Sequence, residues 1–175
     1  MTLAEVSALL DRLGIPHAVI GALALSVHGV VRASNDVDVL VTDRRCLDAT
    51  IWNAATKTGT VEIRHGDADD PLAGVVRLTP ASGSPIDVVV GRAGWQATLL
   101  QRAPRIPLLG ASIPVATPTD LVVLKLFAGG PQDAWDIDQL LDAVPGLQTL
   151  VPTSLAPLPA ECTALWQRIL DTRSA

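Results

Sequence analysis

The sequence predicts a mixed α+β fold, in which a small mixed β-sheet is flanked by helices and followed by a short C-terminal helical tail. Apolar residues recur at helical spacing towards both ends of the chain, whereas short alternating or continuously apolar segments typical of strands lie in the middle. A third observation is the turn at residues 81–84, which predicts an antiparallel hairpin within that sheet.

The first part of the chain predicts helices and strands in alternation. Thr2 and Glu5 have the spacing of a capping box, and Gly14 is a typical residue for a helix end. The predicted elements are a helix over residues 3–13, a strand over 17–20, a helix over 21–29, a strand over 36–41 and a helix over 43–57.

The rest of the chain predicts three more central strands and a helical end. Thr117 is the expected N-cap of a helix whose first turn contains Pro118. The predicted elements are strands over 61–65, 74–78 and 86–90, a helix over 93–102, a hairpin within 105–116, and helices over 118–128, 132–144 and 160–172. We therefore expect one domain over residues 1–144, followed over residues 145–175 by a Pro-rich, irregular linker and a C-terminal helix.

Composition narrows the classes of function. The net charge of −5 and the aromatic share of 3% argue against sequence-independent binding of nucleic acid. Proteins that bind nucleic acid in this way use basic surfaces and aromatic rings that stack on the bases. Glu5 and Asp11 interrupt the apolar N-terminal segment, which is unlike a signal peptide, and the apolar stretch at 18–31 is too short for a membrane span. The expected location is the cytoplasm, with Cys46 and Cys162 as buried free thiols.

Two aspartates in one strand are the first candidates for chemistry. Residues two apart in a strand share one face, so Asp36 and Asp38 point the same way, about 7 Å apart at Cα. Paired carboxylates need a positive partner, and Mg²⁺ prefers such oxygen ligands. The alternative is that Asp36 merely begins the strand and Asp38 is solvated on an open sheet face.

A third carboxylate, Asp87, lies in the otherwise apolar strand at 86–90. If that strand pairs beside the first, the three acids converge, and two metal ions held there can activate a hydroxyl and stabilise a leaving pyrophosphate. Upstream, Gly21 follows a buried strand and opens a helix, a geometry that suits a bound anion. The residues of a P-loop and of a Rossmann glycine motif are absent from the sequence.

Two motifs resemble those of the nucleotidyltransferase superfamily, and most closely its small bacterial branch related to AbiEii and MenT toxins. The first is the stretch IGALALSVHGVVRASNDVDVLV, and the second begins at Pro118. The matching residues are Gly21, His28, Gly29, Arg32, Ser34, Asp36 and Asp38 in the first motif, and Pro118, Asp120, Leu121, Lys125, Ala128, Asp133 and Asp136 in the second. The resemblance covers the chain from about Ile20 to Leu141.

The resemblance implies roles for individual residues. Asp36 and Asp38 would bind the metal ions, and Asp87 would complete the triad and help to deprotonate the acceptor hydroxyl. The remaining candidates would bind the nucleotide or its phosphates. They are Gly21, Ala22, Ser26, Arg32, Ser34 and Lys125. Three alternatives stay open: Lys125 as a snorkelling helix residue, Arg32 as a structural partner of Asp136 or Asp43, and Ser34 as a hydroxyl at the strand entry.

The implied function is transfer of a nucleoside monophosphate from a nucleoside triphosphate such as ATP to a hydroxyl acceptor. The acceptor would be a tRNA 3′ end, a partner protein or a small molecule, and a toxin–antitoxin system would fit the branch. The expected protein partner is a toxin–antitoxin partner or, in a homodimer, a second copy of the chain. Two departures favour a rival, a degenerate binding or regulatory module without catalysis. Ala22 replaces the usual second Gly or Ser, and the basic residue often found before Asp133 is missing.

Overall fold

A computed structural model describes residues 1–174, which form two compact units. The first unit comprises residues 1–23 and 33–116, and the second comprises residues 24–32 and the chain from Thr117 onward. Together their elements confirm the predicted mixed α+β class. The predicted domain division after residue 144 stays a prediction, and Ala175, at the end of the predicted tail, lies outside the described residues.

The first unit contains the strands and the helices around them. Its elements are α1 (Leu3–Arg12), β1 (His17–Ile20), the start of α2 (Gly21–Val27), β2 (Val37–Val41), α3 (Asn53–Thr56), β3 (Gly59–His65), β4 (Leu72–Pro80), β5 (Ile86–Gly91), α4 (Gly94–Arg102), β6 (Arg105–Leu108) and β7 (Ala111–Pro114). The capping box predicted for α1 is confirmed, because the Glu5 amide donates to Thr2 Oγ1 and the Thr2 amide donates to Glu5 Oε2.

Five strands form one mixed sheet in the order β1-β2-β5-β4-β3. β2 and β5 are parallel, whereas the pairs β1–β2, β5–β4 and β4–β3 are antiparallel. The antiparallel pairing of β4 with β5 confirms the hairpin predicted from the turn at residues 81–84. The register places Val39, Val88 and Val76 side by side, and each is at most 1% exposed. This apolar row forms the core on one sheet face, so the alternate residues, including Asp38 and Asp87, lie on the other face.

The single helix predicted over residues 43–57 is wrong. The segment contains two 3₁₀ turns, Arg44–Leu47 and Ala49–Trp52, followed by the one-turn helix α3. The Asp48 carboxylate accepts a hydrogen bond from the Thr50 amide at 2.9 Å, while the Asp48 backbone is extended with ψ of 120°. Aspartate competes with helix formation in this way, and here it starts a second turn instead of continuing the first.

The second unit consists of α5 (Pro118–Ala128) and further helices. The others are the end of α2, α6 (Pro131–Ala143), α7 (Leu147–Leu150) and α8 (Ala160–Ser174), and α5 contacts α6, α7 and α8. Thr117 caps α5 as predicted, and Gly129 ends it with a left-handed φ of 71°. No helix among residues 1–174 has the length and apolar character needed to cross a membrane.

The predicted irregular segment at 145–159 is partly helical. It contains α7 and a 3₁₀ turn at Val151–Ser154. Leu147, Val151 and Leu155 recur every four residues, and all three are buried. This spacing places them on one helical face, and burial of that face outweighs the proline and glycine content that predicted an irregular chain.

Candidate functional site

The carboxylate pair at the centre of the sheet is set by the parallel pairing of β2 with β5. Asp38 is the direct partner of Asp87 in the register, and Ile20 of β1 flanks Asp38 on its other side. Neighbouring strands lie about 4.8 Å apart, so the two side chains stand next to each other on the same face. Two aspartates that are 49 positions apart in the sequence (87 − 38 = 49) thus share one site.

Asp36 lies just before β2, and its carboxylate is held by its neighbours. Ser34 Oγ donates to Asp36 Oδ1 at 2.8 Å, and Arg77 Nη2 lies 3.6 Å from Asp36 Oδ2. The Val37 amide donates to the Pro85 carbonyl at 2.9 Å and so ties the start of β2 to the segment before β5. In this structure Ser34 acts as a hydroxyl at the strand entry, and its predicted nucleotide role stays a prediction.

Arg77 links two of the three carboxylates. It lies on β4 directly opposite Asp87, and its Nη1 donates to Asp87 Oδ2 at 3.0 Å. The sequence analysis did not identify a cationic residue of the chain that would pair with these aspartates. The hairpin carried the necessary signal, since a turn centred on residues 82 and 83 places residue 77 or 78 opposite Asp87. Only the actual register selects Arg77 over its apolar neighbour Leu78.

Asp87 is the most buried of the three acids. The residue is 9% exposed, and its Oδ1 is buried without a hydrogen-bond partner. Burial raises the pKa of the Asp87 carboxyl above its usual value, Arg77 opposes that rise, and the negative charge of Asp36 adds to it. One oxygen of Asp87 is therefore neutralised by an arginine, while the other remains unmatched.

Gly21 lies against the Asp38 carboxylate. Its φ is +63°, and a Cβ atom built on it would come 2.0 Å from Asp38 Oδ2. Only glycine fits such close contact with a left-handed backbone. The next residue, Ala22, is buried and contributes its backbone amide to the first turn of α2. The start of α2 and the carboxylate of Asp38 thus occupy one small region of the first unit.

The other predicted binding residues belong to the second unit. Lys125 Nζ lies 2.8 Å from Asp133 Oδ1 and 2.5 Å from Asp136 Oδ2, and Arg32 Nε lies 3.1 Å from Asp136 Oδ1. The structural pairing of Arg32 with Asp136, one of the alternatives left by the sequence, is therefore present. Ser26 is exposed on α2. For all three residues the assignment to phosphate or nucleotide stays a prediction.

The side chains of residues 1–174 contain no group of three or more histidine, cysteine, aspartate and glutamate residues arranged to hold a metal ion. The two cysteines, Cys46 and Cys162, are free and buried, as predicted. Asp36 and Asp87 both contact Arg77, and one buried oxygen of Asp87 has no hydrogen-bond partner. Chemically, such a cluster is a set of hard oxygen donors that is incompletely neutralised.

Comparison with known proteins identifies the fold. No protein-family model and no curated protein matches the chain. A nucleotidyltransferase-like antigenic protein from Paracoccidioides brasiliensis is 20% identical and superposes with a TM-score of 0.50, over 93% of this chain and 89% of its own. A candidate nucleotidyltransferase from Thermotoga maritima is 15% identical with a TM-score of 0.53, over 81% and 93%. The mixed sheet and its helices thus have the architecture of nucleotidyltransferase-fold proteins.

Proposed function

We propose that this chain is a metal-dependent nucleotidyltransferase that transfers a nucleoside monophosphate from a nucleoside triphosphate to a hydroxyl acceptor. The observation that carries the proposal is the register of β2 and β5, which sets Asp38 beside Asp87 and against Gly21 in a chain of the nucleotidyltransferase fold. Asp36 extends the same cluster through their shared contact, Arg77.

The donor set suits Mg²⁺, although no ready-made cage of three side chains is present in the described chain. Mg²⁺ typically binds one or two carboxylates and completes its coordination with water and substrate phosphates. Asp38 and Asp87 would supply those carboxylates, with Asp36 as a further ligand in a two-metal site. The unmatched, buried Oδ1 of Asp87 supports this assignment, because a buried charged oxygen without a partner is destabilising unless a ligand satisfies it.

Bound there, the metal would neutralise charge on the reacting phosphate and on the departing pyrophosphate. The residues of the chain would perform the remaining tasks. Gly21 permits a phosphate to approach the backbone amides at the start of α2, including that of Ala22. Asp87 would also be placed to accept the proton of the attacking hydroxyl.

The chain would belong to a toxin-type branch of the superfamily and use one of three kinds of acceptor. The two sequence motifs favour the AbiEii and MenT branch, and a toxin–antitoxin role would fit that branch. The acceptor would be a tRNA 3′ end, a partner protein or a small molecule. The protein partner would be an antitoxin or a second copy of the chain. Ser26, Arg32 and Lys125 would contact the nucleotide in the same reading. The acidic net charge of −5 disfavours an acceptor that is held mainly through a nucleic-acid backbone.

A non-catalytic binding module is the second candidate function. Two observations favour it: Arg77 already occupies Asp36 and Asp87, and Ala22 lacks the hydroxyl that a serine would offer. In that case the fold would serve recognition of a partner, and the carboxylates would hold the sheet together through Arg77. The two candidates differ in one property, which is binding of a nucleoside triphosphate that depends on a divalent metal.

Isothermal titration calorimetry with ATP, CTP, GTP and UTP, each with and without Mg²⁺, tests the proposal directly. We expect one nucleotide to bind the wild type only with Mg²⁺, and the Asp36→Ala/Asp38→Ala double variant to lose that binding. Asp69→Ala, at an exposed position in the loop between β3 and β4, is the matched control and should bind like the wild type. Failure of all four nucleotides to bind would reject the enzyme and favour the binding module.

A further inference from the structure

A row of charged residues crosses the sheet on the face that carries the carboxylates. The register places Asp38 beside Asp87, Asp87 beside Arg77, and Arg77 beside Glu62 of β3. Adjacent residues of a sheet share a face, so these four side chains form one row, which we call the charged row. Its charges run negative, negative, positive and negative.

Arg77 is the only cation in the charged row, and it faces an acid on either side. Towards β5 it contacts Asp87 Oδ2 at 3.0 Å and approaches Asp36 Oδ2 at 3.6 Å. Towards the sheet edge, Glu62 is exposed, and cross-strand partners have Cβ atoms about 5 Å apart. The Arg77 side chain is 34% exposed and lies on the sheet face opposite the apolar row, so a move towards Glu62 would not require repacking of the core.

Asp87 is only half neutralised by this arrangement. Arg77 takes Oδ2, whereas Oδ1 is buried without a hydrogen-bond partner in a residue that is 9% exposed. A cation that bound Asp38 and Asp87 together would meet the guanidinium at the same carboxylate. Two positive charges within about 4 Å repel each other, so the guanidinium and the metal ion would compete for this carboxylate.

We propose that Arg77 is a built-in counter-cation, which holds Asp87 and Asp36 in the nucleotide-free protein and is displaced towards Glu62 when a divalent cation binds the carboxylates. This inference rests on the proposed metal-dependent function and adds a regulatory element to it. Because Arg77 must be displaced first, the free protein binds divalent metal weakly. Metal then enters efficiently only with a nucleotide, whose phosphates supply additional ligands. Arg77 acts here as a positioning residue.

Titration of Mn²⁺ alone into the full chain, followed by calorimetry and by the Mn²⁺ electron paramagnetic resonance signal, tests the inference. Mn²⁺ prefers the same oxygen ligands as Mg²⁺ and reports its binding spectroscopically. We expect Arg77→Met to bind Mn²⁺ about tenfold more tightly than the wild type, since an adjacent opposite charge shifts a carboxylate equilibrium by at least that factor. Arg77→Lys, which keeps the charge, should resemble the wild type.

Arg64→Met is the matched control. Arg64 lies on the same face of β3 as Glu62 and is exposed. It acts on Asp87 only through its charge, which lowers the pKa of that carboxyl, so its replacement measures the loss of one positive charge without the loss of a contact. Its effect on Mn²⁺ affinity should stay below about twofold, as expected for a charge screened by solvent. The Arg77→Met/Asp87→Asn double variant should lose the tight binding, which would place the gained affinity at Asp87.

The wild type provides a second measurement if Arg77→Met does not fold. The Nε–Hε resonance of Arg77 in nuclear magnetic resonance should shift when Mg²⁺ is added together with ATP, CTP, GTP or UTP, each tested in turn, and the Arg64 resonance should not. The proposed role of Arg77 as a counter-cation is wrong if its resonance does not move. It is also wrong if Arg77→Met and the wild type bind Mn²⁺ with equal affinity. Nucleotide binding lost in Asp36→Ala/Asp38→Ala would still support the proposed function, so the two failures are distinguishable.

Discussion

Two charged clusters of this protein differ in how completely their charges are matched. In the second unit, Arg32, Lys125, Asp133 and Asp136 form what we call the helix charge network. Its fully buried Asp136 contacts two cations, at 2.5 and 3.1 Å, and Asp133 also accepts from the Gly130 amide at 3.0 Å. In the charged row of the first unit, Arg77 contacts one oxygen of the buried Asp87, and the other oxygen has no hydrogen-bond partner. Asp136 Oδ2 and Arg32 Nε also lack a hydrogen bond, but each lies within an ion pair, at 2.5 Å and 3.1 Å.

The difference separates a structural role from a binding role. A buried ion network that is well matched strongly resists removal of any member, because the remaining charges are left uncompensated. A buried carboxylate that is partly unmatched is destabilising on its own and is favoured when a cation arrives. The helix charge network is therefore expected to contribute more to stability than the charged row, whereas the uncontacted oxygen of Asp87 supports the cation binding proposed above.

The largest effect is expected from Asp136→Ala, which breaks the helix charge network. It leaves Lys125 and Arg32 without their shared partner, and removal of one member of a buried ion pair costs about 3–5 kcal/mol. Urea denaturation followed by circular dichroism measures the free energy of unfolding. Asp138→Ala is the control: this half-exposed residue pairs with Arg173, and its loss should cost at most about 1 kcal/mol. Equal losses in both variants would contradict the structural role of the network.

A smaller effect is expected from Gly21→Ala, which tests the contact between α2 and the charged row. The new Cβ would lie 2.0 Å from Asp38 Oδ2, in addition to the strain of φ at +63°. Gly14→Ala is a matched control with φ at +66° and no atom within 4 Å, so it measures the backbone strain alone, about 1–2 kcal/mol. We expect Gly21→Ala to lose more stability than Gly14→Ala, and also to lose Mg²⁺-dependent nucleotide binding. Equal stability of the two variants would show that Asp38 moves away freely.

The smallest effect on stability is expected from Asp87→Asn, although the residue is buried. Burial raises the pKa of Asp87 above 3.8, so the folded protein binds the proton more tightly than the unfolded chain. The Asp87 carboxyl therefore makes its full stabilising contribution to the free energy of unfolding below about pH 4. That contribution is lost as the pH rises through the pKa that the group has in the folded protein. At neutral pH Asp87→Asn should be at least as stable as the wild type while failing to bind metal. Thermal unfolding between pH 4 and 8 would show its advantage growing with pH; an advantage that shrinks would contradict this sign.

Local signals in the sequence predicted most of the elements. The capping box of α1, the Thr117 cap of α5 and the alternation in β2 each depend on residues within one turn or one strand. The helix predicted over residues 43–57 failed because Asp48 offers its own backbone a competing hydrogen bond. The four-residue spacing of Leu147, Val151 and Leu155, which are buried, is also a local signal. The surrounding prolines nevertheless led to the prediction of an irregular segment.

The sequence by itself determined the strands, the caps and the face on which Asp38 lies, because the periods of strand and helix are written in neighbouring residues. Only the tertiary structure decided which strand lies beside β2, and therefore that Asp87 meets Asp38 and that Arg77 meets both Asp87 and Asp36. Likewise, only packing of α5 against α6 decided that Lys125 contacts Asp133 and Asp136. Pairing between distant segments depends on burial of the whole sheet or bundle, and no local pattern contains that information.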